Sequence, residues 1–345
     1  MKKVKVEHAV GMVLGHDVTK IIPGKFKGAA FKRGHRISES DIPELLDIGK
    51  SHVWVMELKK GQIHEEQAAL RIGQAVAGSG LVLSPPKEGK VEIKADLFGL
   101  LKVNVRLLER INSIRNVVLS TLHTNSTCRP GMVVAGTKII PLFIDEAVIK
   151  RVEDICHKKG KVLEVIPFCR RNVSVVITGR EVFQGRIKDK FGDILQNKLE
   201  AFGATVSQRA IVPDDASMIA KTITEFKAGG SELIIVSGGM SVDPDDVTPQ
   251  GIRKTGAKVI VYGAPVLPGS MFLYAKLQGT PIIGAPACVL HDPTTILDII
   301  LPRVLAGEDI SRKDIIKLGH GGLCQRCKTC RFPVCPFGKG SEGSC

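Results

Sequence analysis

The stretch that decides the fold runs from residue 173 to residue 239 and contains five segments of alternating character. In order they read VSVVITG (173–179), KDKFGDILQNKLEAFG (188–203), ATVSQRAIV (204–212), DDASMIAKTITEFKAGG (214–230) and ELIIVSGG (232–239). The first, third and fifth are short runs rich in β-branched residues, whereas the second and fourth repeat apolar residues at helical spacing and end at glycine. Strands that alternate with helices of this length predict a parallel sheet with helices on both faces.

The same alternation continues to about residue 312, through KVIVYG, TPIIGAP and the helical segment TTILDIILPRVLAG. We therefore predict a three-layer α/β domain with a mostly parallel sheet at residues 172–312. Residues 1–167 mix short β-like runs, LLKVNVRLL among them, with two helical stretches. They predict an α+β region that forms one unit or two small lobes. Residues 319–345 are rich in glycine and cysteine and predict a short tail with little regular structure.

Composition excludes several classes of protein. Of the 345 residues, 43% are hydrophobic and 24% are charged, which is typical of a globular chain and excludes wholesale disorder. There is no run of 18 apolar residues, so the sequence predicts no membrane span and no membrane partner. The N-terminus has basic residues but no apolar run followed by a cleavage site. We therefore predict a cytoplasmic protein.

The net charge of +14 is unevenly distributed. Residues 1–171 carry 29 basic and 18 acidic side chains, whereas residues 172–312 carry 14 and 15. The excess forms either ordinary solvated faces or, in a second interpretation, a surface for the phosphates of a nucleic acid. The aromatic content of 4% and the lack of a recognised basic helix motif make nucleic acid the less favoured partner.

Polar residues follow three of the predicted strands, and the carboxyl ends of parallel strands are where open α/β sheets bind ligands. Gly238 and Gly239 let backbone N–H groups approach an anion closely. Mg²⁺ takes oxygen ligands and bridges substrate phosphates, so nearby carboxylates indicate a magnesium site. The competing interpretation is that the aspartates are helix N-caps and the glycines form a turn. The hydroxyl donors predicted for the anion are Ser237 and Ser241, and the predicted magnesium ligands are Glu181, Asp214 and Asp246.

Several of these segments together resemble a known family, the molybdopterin-binding domain of molybdenum-cofactor biosynthesis proteins. ITGREV (177–182) resembles the family's strand-end TGDE, and SGGMSVDPDD (237–246) resembles its glycine-rich acidic loop. LPGSMFLYAKLQGTPIIGAPACV (267–289) is similar to the stretch that follows. FKRGHRISESDIPELLDIGKSHVWV (31–55) resembles the segment that precedes the domain in the molybdopterin molybdenumtransferases, the branch to which the chain is most similar.

The resemblance implies a ligand, a reaction and residue roles. The ligand is molybdopterin or its adenylylated form, and the transferase branch inserts molybdate with release of AMP. Glu181, Asp214 and Asp246 would be the catalytic or Mg²⁺-binding carboxylates. The resemblance also implies a homodimer whose partner completes the cleft. The residues implied to bind substrate are Thr178, Gly179, Ser237, Gly238, Gly239, Ser241, Pro268, Gly269, Gly284 and Pro286.

Five of the nine cysteines lie in the last 22 residues, four of them in CQRCKTCRFPVCP (324–336). Three cysteines at x2 spacing resemble ligands of a [4Fe–4S] cluster, whereas structural zinc normally pairs two separate CxxC knuckles. We therefore predict a metal site, with an iron–sulfur cluster favoured over zinc and disulfides third. The predicted ligands are Cys324, Cys327, Cys330 and Cys335. Four isolated cysteines are predicted to be buried, namely Cys128, Cys156, Cys169 and Cys288, and His64 is predicted to be exposed at a helix start.

Three functions therefore remain open. The favoured one is a molybdenumtransferase-like enzyme of molybdenum-cofactor biosynthesis. The alternatives within the family are a molybdopterin adenylyltransferase and a protein that binds or senses the pterin without catalysis. The alternative outside it is a basic regulator that binds nucleic acid.

Overall fold

The computed structural model describes residues 1–22, 26–56, 59–240 and 247–340. In the first half of the chain, the described residues form short strands and four α-helices. These are β1 (Lys2–Lys5), β2 (Val13–Leu14), β3 (Val18–Ile22), β4 (Phe26–Phe31), α1 (Ile42–Asp47), β5 (His52–Met56), β6 (Gln62–His64), α2 (Glu65–Val76), β7 (Leu81–Leu83), β8 (Lys90–Ala95), β9 (Gly99–Val103), α3 (Val105–Asn112), β10 (Val117–Thr121), β11 (Thr127–Cys128), β12 (Val133–Ile139), β13 (Phe143–Asp145), α4 (Glu146–Lys159) and β14 (Leu163–Pro167).

This first half contains two separate hydrophobic clusters. One packs the three-stranded sheet β1-β5-β2 with α1, and its buried residues lie between residues 6 and 55. The other packs α2, α3 and α4 against the sheets β10-β12-β8-β7 and β11-β9-β14, and its buried residues lie between residues 63 and 165. The first half is therefore a mixed α+β arrangement with two cores, as expected for a sequence of short strands interrupted by amphipathic helices.

The elements of the second half are β15 (Asn172–Thr178), α5 (Arg180–Phe183), α6 (Phe191–Glu200), β16 (Thr205–Val212), α7 (Ala216–Ala228), β17 (Leu233–Ser237), α8 (Thr248–Lys254), β18 (Lys258–Tyr262), β19 (Leu273–Leu277), β20 (Thr280–Ala285), α9 (Ile296–Leu305) and α10 (Arg312–Lys317). The strands form a six-stranded sheet of order β16-β15-β17-β20-β19-β18. The four strands β16, β15, β17 and β20 are parallel, and β18 and β19 are antiparallel to their neighbours.

Alternate residues of the central strands enter two different cores. In β17, Leu233 and Ile235 pack with α6, α9 and α10, whereas Ile234 and Val236 pack with α7 and α8. The same alternation in β15 places Val175 on the first face and Val176 on the second. Because successive side chains of a strand point to opposite faces, a strand apolar at every position is buried on both sides. The predicted α/β fold, with a mostly parallel sheet and helices on both faces, is confirmed. The division at 1–167, 172–312 and 319–345 stays a prediction.

The two helical stretches expected in residues 1–167 correspond to α1 and α2, but the structure has α3 and α4 there as well. Three further local expectations were wrong. LLKVNVRLL is a strand only in its first half, because Asn104 Oδ1 accepts from the backbone N–H of Leu107 and begins helix α3. His64 is buried rather than exposed, and its Nδ1 accepts from the backbone N–H of Glu66 at the start of α2. Cys169 is exposed. No helix in the part of the chain that the structure describes is both long enough and apolar enough to cross a membrane.

Candidate functional site

The carboxyl ends of β15, β16 and β17 lie side by side. Thr178, the last residue of β15, is in register with Val212 of β16, and Ile177 is in register with Ser237 of β17. The loops that begin at Gly179, Pro213 and Gly238 therefore leave the sheet at the same edge. This edge is where the sequence predicted a ligand site.

Asp214 and Asp215 have different roles, although they are adjacent. Asp215 is the N-cap of α7, and its Oδ1 accepts from the backbone N–H of Met218 at 2.8 Å. Asp214 Oδ2 accepts from the backbone N–H of Arg180 at 2.8 Å, which joins the loop after β16 to the loop after β15. The N-cap interpretation therefore applies to Asp215. Asp214 does not cap α7, and its carboxylate lies at the carboxyl ends of the strands.

Gly238 and Gly239 form a tightly enclosed turn at the end of β17. Their φ angles are +96° and +53°, a region that glycine adopts without a Cβ penalty. A Cβ on Gly238 would collide with the carbonyl oxygen of Thr178. A Cβ on Gly239 would stand 2.8 Å from Thr248 Oγ1, 3.3 Å from Thr178 Oγ1 and 3.6 Å from Asp214 Oδ1. Two hydroxyls and a carboxylate oxygen therefore surround the backbone of this turn.

The hydroxyl groups of Thr178 and Thr248 lie against the same turn. The Oγ1 atoms of Thr178 and Thr248 are 3.1 Å apart, and Thr248 Oγ1 donates to the carbonyl oxygen of Gly238 at 2.9 Å. Ser237 is completely buried, and within the described residues its Oγ has no hydrogen-bond partner. A buried hydroxyl without a partner costs free energy, so a group that could bond to Ser237 Oγ would be stabilised there.

Glu181 lies at the same strand end but is exposed, in the first turn of the short helix α5. One of its carboxylate oxygens, Oε2, is 3.9 Å from the position that a Cβ on Gly179 would occupy. The structure thus brings Thr178, Gly179, Glu181 and Asp214 to one edge with the glycine turn. Ser241 and Asp246 lie outside the described residues.

The predicted substrate residues further along the chain divide into two groups. Gly284 is next to the site, because a Cβ there would collide with the side chain of Met240, the residue after Gly239. Pro286 comes two residues after Gly284 and directly follows the last residue of β20, at the same end of the sheet. Pro268 and Gly269 pack against the start of α9, where the N–H of Ile296 donates to the carbonyl oxygen of Pro268 at 3.2 Å.

Two residues at this site were missed by the sequence analysis. Thr248 holds the carbonyl of Gly238. The sequence signal that could have found it is a threonine directly before Pro249, since proline is typical of the first turn of a helix. Tyr262 Oη donates to the carbonyl oxygen of Met240 at 3.1 Å, from the edge strand β18. Nothing in the local sequence pairs Tyr262 with Met240, since the contact spans 22 residues of chain.

Metal-ligand geometry is not preformed in the described ranges. No three histidine, cysteine, aspartate or glutamate side chains among those residues are arranged so that they could hold a metal ion. Glu181 and Asp214 offer the oxygen donors that suit Mg²⁺, and the magnesium site stays a prediction. The four tail cysteines lie elsewhere, around one cavity near α9.

An open α/β domain with a glycine turn, hydroxyls and a carboxylate at its strand ends is a ligand-binding domain of the doubly wound class. Residues 174–307 match the family model described as a probable molybdopterin binding domain. This match covers less than half of the chain, and the domain that contains it fits the molybdopterin-binding family. Residues 3–57 match a second family model, described only as a domain of unknown function.

The curated relatives include proteins with different names. A CinA-like protein of Citrifermentans bemidjiense is 36% identical over 82 residues, which cover 24% of this chain and 20% of the relative. A molybdopterin molybdenumtransferase of Synechococcus elongatus is 27% identical over 145 residues, covering 39% of this chain and 36% of the relative. The chain thus spans about a fifth to a third of the length of these relatives.

Solved structures that the chain matches include the protein CinA from Thermoplasma acidophilum, with 19% identity and a TM-score of 0.35. It covers 39% of this chain and 98% of its own. The molybdopterin biosynthesis enzyme MoaB from Thermus thermophilus has 20% identity and a TM-score of 0.33, covering 40% of this chain and 98% of its own.

Proposed function

We propose that the chain binds molybdopterin or its adenylylated form at the strand ends of β15, β16 and β17. We further propose that it inserts molybdate into the adenylylated pterin and releases AMP. The observation that carries the proposal is the position of Gly239, which is surrounded by Thr178 Oγ1, Thr248 Oγ1 and Asp214 Oδ1. A cradle of backbone N–H groups and hydroxyls next to a carboxylate suits a phosphorylated ligand whose charge is shared with a cation.

The chemistry required of the site is mainly orientation and charge neutralisation. The turn at Gly238 and Gly239 would bind the terminal phosphate of the pterin, and Ser237 Oγ is a buried hydroxyl directly before the same turn. When bound, Mg²⁺ would offset the negative charge of the phosphates. Asp214 and Glu181 are the described carboxylates that would hold it, and the hydrogen bond from Arg180 N–H keeps Asp214 at the edge of the sheet.

A homodimer would supply positive charge that this domain lacks. Residues 172–312 carry almost equal numbers of basic and acidic side chains, whereas residues 1–171 have an excess of 11 basic ones. If the partner's N-terminal region faces the strand ends, its basic residues attract the anionic substrate over several ångströms. The expected observation is a dimer in light scattering of the full chain, and a monomer that binds the pterin would contradict this arrangement.

The test combines calorimetric titration with a turnover assay. The full chain is titrated with molybdopterin, with adenylylated molybdopterin and with a generic DNA duplex. AMP release is then followed with and without molybdate in the presence of Mg²⁺. We expect pterin binding, no duplex binding, and AMP release that depends on molybdate. Transfer of AMP from ATP to molybdopterin would replace the proposed reaction with adenylylation, and binding without turnover would leave only a carrier. Duplex binding without pterin binding would overturn the whole proposal.

A matched pair of variants tests the site itself. Asp214→Asn removes one charge at the strand ends, and Asp215→Asn removes one charge from the adjacent residue. Asparagine caps helices about as well as aspartate, so the control keeps α7 intact. We expect Asp214→Asn to lower AMP release at least about tenfold, a loss of about 1.4 kcal/mol of transition-state stabilisation, and Asp215→Asn to retain it. Equal losses of AMP release in both variants would contradict the assignment of Asp214 to the site.

A further inference from the structure

The cysteine-rich tail is docked on the α/β domain by backbone hydrogen bonds. The N–H of Leu267 donates to the carbonyl oxygen of Gly322, and the N–H of Cys324 donates to the carbonyl oxygen of Leu267, both at 2.8 Å. Phe337 is 4% exposed and belongs to the same hydrophobic cluster as α9 and α10. The tail therefore has a defined position even though it contains no helix or strand among its described residues.

All four closely spaced cysteines face one space. A cavity of about 240 Å³ is lined by Cys324, Cys327, Cys330 and Cys335 together with Thr294 and the apolar residues Phe332 and Phe337. Cys324 and Cys335 also contact the hydrophobic cluster of the domain. Four thiols that line one partly apolar cavity are suited to a ligand that binds all of them at once.

The backbone already supports thiolates at this cavity. The N–H of Arg326 donates to Cys324 Sγ at 3.5 Å, and Arg326 has φ +48°, which closes the turn between Cys324 and Cys327. Thr294 Oγ1 is 3.2 Å from Cys330 Sγ. Hydrogen bonds to sulfur stabilise a metal-bound thiolate and tune the group that it binds. Lys328 and Arg331 also lie between the cysteines and would offset the thiolate charge. The guanidinium of Arg326 is paired with Asp292, which lines the same cavity.

The spacing of the cysteines along the chain favours one kind of metal group. Structural zinc normally pairs two separate CxxC knuckles, whereas Cys324, Cys327 and Cys330 follow one another at x2 spacing. Three cysteines at this spacing resemble ligands of a [4Fe–4S] cluster, in which each thiolate binds a different iron at a separate corner. All four thiols line the same cavity, and among the described residues no three metal-ligating side chains are already arranged to hold a single ion.

We propose that Cys324, Cys327, Cys330 and Cys335 bind one [4Fe–4S] cluster in this cavity. The cluster cross-links the tail to itself and, through the pairing of Cys324 with Leu267, keeps the tail on the segment that leads into Pro268 and Gly269. This site is independent of the proposed pterin chemistry, because none of its ligands belongs to the strand-end loops.

The test uses the full chain purified without oxygen. We expect about four iron ions and about four acid-labile sulfide ions per chain. We also expect a broad absorption band at about 400 nm and an electron paramagnetic resonance signal after reduction. Cys327→Ser removes one thiol, and Cys169→Ser is the control, because Cys169 is exposed and lies outside the tail. Iron should fall below about one per chain in Cys327→Ser and stay at about four in Cys169→Ser.

Circular dichroism distinguishes loss of the cluster from loss of the fold. If the Cys327→Ser variant is unfolded, the Cys330→Ser variant is measured in its place. In a second arm, apoprotein of the wild-type chain is reconstituted with ferrous iron and sulfide or with zinc. Stoichiometric zinc that iron and sulfide do not displace would overturn the proposal. Four cysteines paired in disulfides without metal, or equal iron loss in the Cys169→Ser control, would overturn it as well.

Discussion

The backbone N–H of Arg180 donates a hydrogen bond to Oδ2 of Asp214, 34 residues further along the chain, at 2.8 Å. This contact connects the loops after two neighbouring parallel strands. It also explains why the neighbour of Asp214, and not Asp214 itself, caps helix α7. The two aspartates can therefore be separated by mutation.

Alanine at Asp215 should lower stability and leave activity intact, whereas alanine at Asp214 should do the opposite. Asp215→Ala removes the cap of α7 and is expected to cost about 1 kcal/mol of unfolding free energy, with AMP release retained. Asp214→Ala leaves an exposed N–H that water can satisfy, so it should cost less than about 0.5 kcal/mol while activity is lost. Urea unfolding and the turnover assay measure both quantities. A larger stability loss for Asp214→Ala would contradict the assignment of the cap.

Ser237 should have opposite effects on the free and the bound protein. Its buried Oγ has no partner within the described part of the chain, so Ser237→Ala should leave the unliganded protein unchanged or more stable by about 1 kcal/mol. If the hydroxyl bonds to the ligand phosphate, the same variant should bind molybdopterin about tenfold more weakly. Thermal unfolding measures the change in stability, and calorimetry measures the change in affinity.

Ser174→Ala is the control for Ser237→Ala, because Ser174 Oγ lies 2.6 Å from Ser231 Oγ and its loss should only destabilise the protein. A destabilised Ser237→Ala with normal affinity would contradict this role.

The bidentate pair of Arg71 and Glu153 should make stability depend on pH. Arg71 Nε and Nη2 donate to the two oxygens of Glu153 at 2.8 Å, joining α2 to α4. The hydrogen bonds from Arg71 hold the pKa of Glu153 below its usual range. A carboxyl whose pKa is lowered in the folded state stabilises the protein above its unfolded pKa, and this stabilisation is lost as the pH falls through the folded value.

The variant Glu153→Gln should therefore be less stable than the wild type at pH 7, by about 1 kcal/mol or less because the pair is partly exposed. The difference should shrink as the pH is lowered below about 4.3, the ordinary pKa of glutamate. Urea unfolding of both proteins across this range measures it. Glu225→Gln is the control, since its pair with Lys221 is long, at 3.9 Å, and exposed. A difference that does not change with pH would contradict the mechanism.

The tail should depend on one aromatic anchor. Phe337 is 4% exposed, whereas Val334 in the same segment is 85% exposed. Phe337→Ala should release the tail at a cost of about 3 kcal/mol, because it leaves a cavity in the cluster under α9. Limited proteolysis should then cut the tail of this variant at least about tenfold faster than the wild-type tail, and Val334→Ala should behave as wild type. Equal cleavage of the two variants would show that Phe337 does not hold the tail.

Much of the second half of the fold could be predicted because its signals are local. Runs such as VSVVIT and LIIV are rich in β-branched and apolar residues, and strands buried on both faces need that pattern. Gly203 and Gly229 mark helix ends close to where the helices stop. The first half was harder, because short strands such as β7 and β11 contain too few residues to show a period. In LLKVNVRLL a single cap at Asn104 outweighed the β-like run.

The sequence by itself determined the alternation of strands and helices in residues 173–239, the edge of the sheet where the polar loops end, and the spacing of the tail cysteines. These properties depend on the hydrophobic pattern along a few neighbouring residues. Only the tertiary structure decided that Asp215 caps α7 while Asp214 meets Arg180, that Thr248 supports Gly238, and that the tail docks at Leu267. Most of these contacts join residues from separate elements, so they are decided by how the packed sheet and helices bring their ends together rather than by any local preference.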